Sequence, residues 1–586
     1  MAAETHSRQF GKIQVRLPVR SIVLRSRLIL KLEDNMLFGS AKGSWTSVRP
    51  IVIAALIVLT AGTWLKADEP VVERFDSAAL ASADDGVAEA FTQQEDVLSL
   101  PLPEDPADRI SALEQRLEAL SKRTEAAEKA LSASKSEKAK TEKAPEKPAP
   151  KAETKSEFPN FKVTGFIQLD TAFYQQDADN MALVGDAQDG TAFRRARLGV
   201  NGKVAEFTGY QLEVDFATAG RPSFFDTYVE QGNLPMLGTV KIGQFCQPFS
   251  VDALTSFRNL TFLERSLPFL AMVPFRRVGA QASDTTEDQR TAWAYSLYRS
   301  GGFNNAPLGD NRFGADFGDI GGYAVSSRVT HLLQYDDLAA DRYLWHIGGG
   351  YNFSVLAAND AIGSGTPGNA GTPRPFYQAR TTPEFGLGYS DFGGNFGSAV
   401  NGTPNFVDTG RYEANSFHLF GFETVYQHGP VGFTAEYMAT AVNSVAGPVY
   451  YQGAYAQLAY RLTGEHRLYD KKLGTLGKLI PFTELIPLKR DGIRGWGAFE
   501  VAARWSVIDL RNPDDLDGHY YNPGANAFNT TANAGNGVMN DSTVGVTWFL
   551  NAYTKVQVNW IHAMVDNTAS GFSDANLYVS RVQVDF

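Results

Sequence analysis

Arginine clustering is the feature of this chain that points to chemistry. The run F-R-R-A-R-L-G-V-N-G-K carries Arg194, Arg195, Arg197 and Lys203. Further on, Lys241, Arg258, Arg265, Arg276 and Arg277 face only Asp252 and Glu264 between positions 241 and 277, a local excess of +3. A guanidinium offers paired donors that fit an oxyanion bidentately, whereas an ammonium acts as a point charge. These nine residues are the candidates for contact with small anions. Fixed positive charge at a narrow, low-dielectric point would draw anions in. A structural reading competes with this one. Glu213, Asp215, Asp226, Glu230 and Glu264 could pair with the same arginines and stiffen a wall. Glu500 and Arg504, four apart on one face, are likewise expected to pair with each other rather than touch solute.

No enzyme is expected. The eight histidines show no H-E-x-x-H or other metal spacing, and no Gly-rich phosphate loop opens a helix, so neither metal nor cofactor is implied. The net charge of −11 argues against nucleic acid as a partner. With Cys246 as the single cysteine, an intramolecular disulfide is ruled out.

The elements that must position these arginines alternate. In F-K-V-T-G-F-I-Q-L-D, Phe161, Val163, Ile167 and Leu169 share one face, opposite Lys162, Gln168 and Asp170. The closing run Y-V-S-R-V-Q-V-D-F sets Tyr578, Val582, Val584 and Phe586 against Arg581, Gln583 and Asp585. A period of two is a strand with two different environments. The same alternation puts Arg195, Arg197, Asn201 and Lys203 on the wet face, and leaves Arg194 to snorkel or cap its strand. Trp293, Trp345, Trp496, Trp505, Trp548 and Trp560 fall in strand-like runs, as interfacial girdles require. Turns at 427–430 and 551–554 are short, while 301–322, 357–383 and 512–540 are long and rich in Gly, Asn and Asp. Greasy outside, wet inside and asymmetric loops together describe a transmembrane β-barrel spanning 158–586, in the outer-membrane lipid.

The first 157 residues divide differently. Residues 1–67 read as a targeting segment: a basic stretch, an apolar run of 12 residues from Ile51, and small residues toward Ala67, with Met36 as an alternative start. Residues 68–108 are acidic and without period, and are expected to be disordered. Over 109–131, Ile110, Leu113, Leu117 and Leu120 stand at heptad spacing, a short coiled coil expected in the periplasm; a lone amphipathic helix is the alternative. Residues 132–157 form a Lys/Pro/Ala-rich spacer. Segment 109–157 could also touch cell-wall polymer as a tether.

From about Phe161 onward the chain resembles the phosphate-selective porins O and P. The resemblance rests on T-G-F-I-Q-L-D (164–170), F-R-R-A-R-L-G-V-N-G-K (193–203), K-I-G-Q-F-C-Q-P-F (241–249) and F-L-E-R-S-L-P (262–268). It continues through Y-R-L-T-G-E-H-R-L-Y-D (460–470), W-G-A-F-E-V-A-A-R-W-S (496–506) and V-G-V-T-W-F-L-N (544–551). It implies about sixteen antiparallel strands, a homotrimer, and passive diffusion of small anions such as phosphate. By the same resemblance, the paired arginines of F-R-R are the best carry-over for anion contact. The irregular stretch 245–274 is expected to fold inward as a constriction, as a third loop does in porins. That loop contains no lysine, and from position 158 onward there are 31 Lys/Arg against 41 Asp/Glu. General diffusion is the alternative.

Overall fold

A computed structural model describes residues 158–217, 222–300, 322–339, 341–356, 375–386, 403–489, 492–522, 527–530, 535–568 and 570–586. The expected targeting segment, acidic segment, coiled coil and spacer lie outside the described residues.

Among the described residues, sixteen long strands form one closed antiparallel sheet. They are β1 (Asn160–Gln176), β2 (Gly190–Ala205), β3 (Thr208–Asp215), β4 (Ser223–Leu234), β5 (Gly238–Cys246), β6 (Arg276–Thr285), β7 (Thr291–Ser300) and β8 (Gly322–Tyr335). After these come β9 (Tyr343–Val355), β10 (Tyr412–His428), β11 (Val431–Ser444), β12 (Gly447–Arg461), β13 (Ala498–Asp509), β14 (Gly537–Phe549), β15 (Thr554–Asn567) and β16 (Gly571–Asp585). Each pairs with the next, and β1 pairs with β16 from Phe166↔Asp585 to Gln176↔Ala575. The seam is finished by Phe586, whose N–H donates to the Gly165 carbonyl at 3.0 Å while Gly165 returns a bond of 2.9 Å. Closure leaves no strand edge, which is what permits a sheet to cross hydrocarbon.

The predicted alternation is realised as inside and outside. Phe161, Ile242 and Val558 are exposed on the outer wall, while Gln168, Asp170 and Asp541 are fully buried on the inner one. The six tryptophans all point outward or lie beside the wall. Trp293, Trp345, Trp496 and Trp548 sit near the tight-turn end of the barrel, but Trp505 and Trp560 are mid-strand and belong to no girdle.

Loop asymmetry also holds, with exceptions at both ends. The turns β2–β3, β10–β11 and β14–β15 are tight at one end, and residues 247–275, 301–321, 356–411 and 510–536 join strands at the other. On that second end β11–β12 and β15–β16 are tight as well. On the first, residues 462–497 make a long connection that includes a hairpin of two short strands, Arg467–Asp470 and Thr475–Leu479.

Sequence 247–275 does fold inward. It contains α1 (Val251–Leu254), a 3-10 turn (Phe257–Asn259) and α2 (Leu267–Met272), with Ser250 capping α1 by accepting from the Ala253 N–H. Its Phe249, Phe257, Leu263, Leu267, Phe269 and Phe275 are buried against Met438, Val442, Ile508 and Met539 of the wall. The molecule's main apolar core therefore lies inside the barrel, where water would otherwise stand. Burying these rings is what holds a loop across an open lumen, since each fully buried aromatic contributes roughly 1.5–3 kcal/mol.

Candidate functional site

The inward loop is pinned at its root by wall groups on β7, β8, β10 and β11. Ser296 donates to Gln247 Oε1 at 2.8 Å, Ser326 to the Pro248 carbonyl at 2.8 Å, and Glu423 and Glu436 accept from the Val251 and Asp252 N–H groups at 2.8 Å each. The loop then crosses to the opposite wall. There Gln583 reaches the Arg258 carbonyl at 3.2 Å, Gln557 the Thr261 carbonyl at 3.3 Å, and Arg581 the Leu263 carbonyl at 2.5 Å.

The F-R-R-A-R arginines meet this loop. A bulge between Gln168 and Leu169 leaves Arg194 unmatched in the β1–β2 ladder, and an unmatched residue can join its neighbour on the same face. So Arg194 does not snorkel outward as strict alternation predicts; it is buried beside Arg195. Both bind Glu264 of the loop: Arg195 bidentately at 2.8 Å, Arg194 at 3.2 Å. Arg581 of β16 adds a third guanidinium at 2.6 Å and also holds Asp170 at 2.6 Å. Burial alone would raise the Glu264 carboxyl, but the charges of Arg194, Arg195 and Arg581 hold it well below the usual carboxylate range.

The other candidates divide. Arg197 pairs with Asp215 at 2.8 Å and lies 3.3 Å from the Phe225 ring centroid. Arg276 pairs with Asp226 at 2.8 Å. Arg265 is fully buried, donating to the Asp252 and Thr255 carbonyls at 2.7 and 2.6 Å, and so locks the loop's own backbone. Arg277 is buried near Tyr298. Lys203 is exposed in the β2–β3 turn region and donates to the Glu206 carbonyl at 2.9 Å. Lys241 and Arg258 make no ion pair among the described residues. Lys241 Nζ stands 4.2 Å from the Tyr228 ring centroid, Arg258 is 4.8 Å from that of Phe166, and both remain partly exposed.

A second layer was not foreseen. Glu500 and Arg504 do not pair with each other: four residues along a strand is roughly 13 Å. Instead Glu500 binds Arg461 at 2.7 Å and Arg467 at 2.6 Å, while Arg504 binds Glu384 at 2.7 Å. Arg467 belongs to the inserted hairpin, whose tip is held where Arg328 donates to the Leu473 and Gly474 carbonyls at 2.6 and 2.9 Å. Its Nη1 also reaches the Asn259 carbonyl at 2.5 Å, so hairpin and loop touch inside the lumen. The one available signal was the length of 462–497, too long for a turn between paired strands.

Exposure shows where the water path runs. Inward residues of β8–β15 such as Ser326, Asn352, Thr440, Ser506 and Thr543 are buried by the loops. On β3–β6, Gln211, Tyr228, Glu230, Lys241 and Gln281 remain partly open, while Glu213, Asp215 and Arg277 are buried. A passage displaced to one wall, flanked by an inward loop, is the architecture of a selective pore.

The family model "Phosphate-selective porin O and P" matches residues 161–353 and 393–586. The chain belongs to that family. Porin O of Pseudomonas aeruginosa is 24% identical over 460 residues, which cover 74% of this chain and 90% of the relative. An uncharacterized protein of Caulobacter vibrioides is 24% identical over 360 residues, covering 60% of this chain and 62% of the relative. Among solved structures, the outer membrane channel DcaP of Acinetobacter baumannii aligns with a TM-score of 0.41 at 11% identity, over 73% of this chain and 97% of that chain. By its family membership this chain is an outer-membrane porin for anion diffusion.

Proposed function

We propose that anions pass along the β3–β6 wall and are contacted there by Lys241 and Arg258, phosphate being one of the solutes carried. The single observation behind this assignment is that these two cations combine partial exposure with the absence of an ion pair among the described residues. A guanidinium already saturated by a carboxylate has little left to offer an oxyanion. Arg194, Arg195, Arg197, Arg265 and Arg276 on this reading build the constriction and supply its background field, while Lys203 and Arg277 stand aside from the narrow point. The working unit is a homotrimer, a reading supported by exposed apolar residues on the short strands β3–β7, among them Leu212, Val229, Ile242 and Leu297. Segment 109–131 would then sit in the periplasm.

The test is the reversal potential of purified protein in a planar bilayer, first in a KCl gradient and then with phosphate replacing chloride. Lys241→Gln combined with Arg258→Gln is expected to lower anion over cation permeability severalfold. An unchanged reversal potential in a correctly folded double variant would remove the assignment.

A further inference from the structure

Of Glu213, Asp215, Asp226, Glu230 and Glu264, only three are spent on the constriction arginines. Asp215, Asp226 and Glu264 form ion pairs. Glu213 and Glu230 form none among the described residues. Both occupy inward positions, on β3 and β4; Glu230 is partly open and Glu213 is buried. Glu230 is the register neighbour of Lys241 on β5. Glu213 lies within electrostatic reach of Arg258 and Arg276, and Tyr228 within reach of both Glu213 and Glu230. These groups are therefore one cluster. After pairing, it sets two carboxylates beside two cations, with Glu230, Lys241 and Arg258 open to water and Glu213 buried behind them.

That balance has a consequence for selectivity. A passage lined by cations alone repels an ammonium, because desolvating that group at a narrow point must be offset by a carboxylate or carbonyl. Here carboxylates stand beside the cations, so a solute with separated opposite charges can satisfy both sets at once. Resting on the reading of Lys241 and Arg258 above, we propose that the passage admits amino-acid-like zwitterions in addition to small anions, and that Glu213 and Glu230 determine this specificity by limiting the preference for plain anions. Arg276 and Asp226 neutralise each other across 2.8 Å and contribute mainly to shape.

Three probes of similar size separate the cases: 4-aminobutyric acid as zwitterion, butyrate as anion and butyramide as neutral reference, each followed as flux into proteoliposomes. With the full-length protein, zwitterion flux relative to butyramide is expected to exceed unity severalfold. In Glu213→Gln combined with Glu230→Gln, that ratio falls toward one, and the KCl reversal potential shifts toward stronger anion preference. Glu213→Asp combined with Glu230→Asp restores the wild-type ratio, which a loss of folding would not allow. An unchanged ratio and an unchanged reversal potential in the Gln variant overturn the proposal. The Lys241/Arg258 reading is judged separately: failure of its variant to lower anion preference sinks that reading, while a shift in the Glu variants alone still supports the carboxylates.

Discussion

At the scale of single residues, the arginines show how one side-chain type serves two ends. A buried guanidinium needs a carboxylate or carbonyl to accept from it, and three of them converge on Glu264. Removing one partner of a buried ionic cluster leaves charge uncompensated, so Glu264→Gln is expected to cost about 3–5 kcal/mol, read as a lower urea midpoint in detergent. Its pH behaviour follows from the depressed carboxyl. A group whose folded pKa lies below its unfolded value contributes fully above the latter, near pH 4.3, and loses that contribution as pH falls through the folded value. Wild-type protein should therefore lose stability as pH falls below about 4, and Glu264→Gln should show a smaller acid-side slope. By the same logic Arg195→Glu would test folding rather than selectivity.

Elements carry the next set of consequences. The loop enters the lumen because glycines in β9 and β10 leave room for it. A Cβ on Gly421 would come 2.8 Å from the tip of the Phe249 ring, and one on Gly350 would strike the Phe249 carbonyl oxygen. Gly421→Val is expected to displace the loop root at a cost of about 1–3 kcal/mol, the range for overpacking a filled core. It should appear as altered conductance together with a lower unfolding midpoint. The hairpin Arg467–Leu479 approaches from the opposite end and is held through Gly474, whose positive φ of 61° forms the sharp return. Replacing residues 468–478 with a short Gly/Ser link removes that insert. Single-channel conductance should then rise severalfold; no rise would show that the hairpin lies off the conducting path.

For the whole molecule, closure of β1 on β16 is the decisive act. Without it the edge groups of both strands would face lipid unpaired, at several kcal/mol for each group. Truncating Val582–Phe586 removes the register partners of Phe166–Leu169 and the bonds to Gly165. Such protein should fail to acquire the heat-modifiable migration of a folded barrel and should remain unfolded in detergent. Full-length protein should show a circular-dichroism spectrum dominated by strand.

The alternation around Arg195 and Arg197 was legible because a strand's side-chain period of two is local and sets inside against outside. The inward course of 247–275 was legible from an apolar, irregular stretch too long for a turn. Partner choice was not. Glu264 meets Arg581 across 317 residues, and Arg504 meets Glu384 across 120. Which carboxylate neutralises which guanidinium depends on how loops cross the barrel. Arg194 turned inward through a bulge that no propensity announces. Period, charge and composition thus determined the barrel and its candidate cations, since these are properties of neighbouring residues. Only the closed structure decided which charges remain free to meet a solute, because pairing is settled by contacts between segments far apart in the chain.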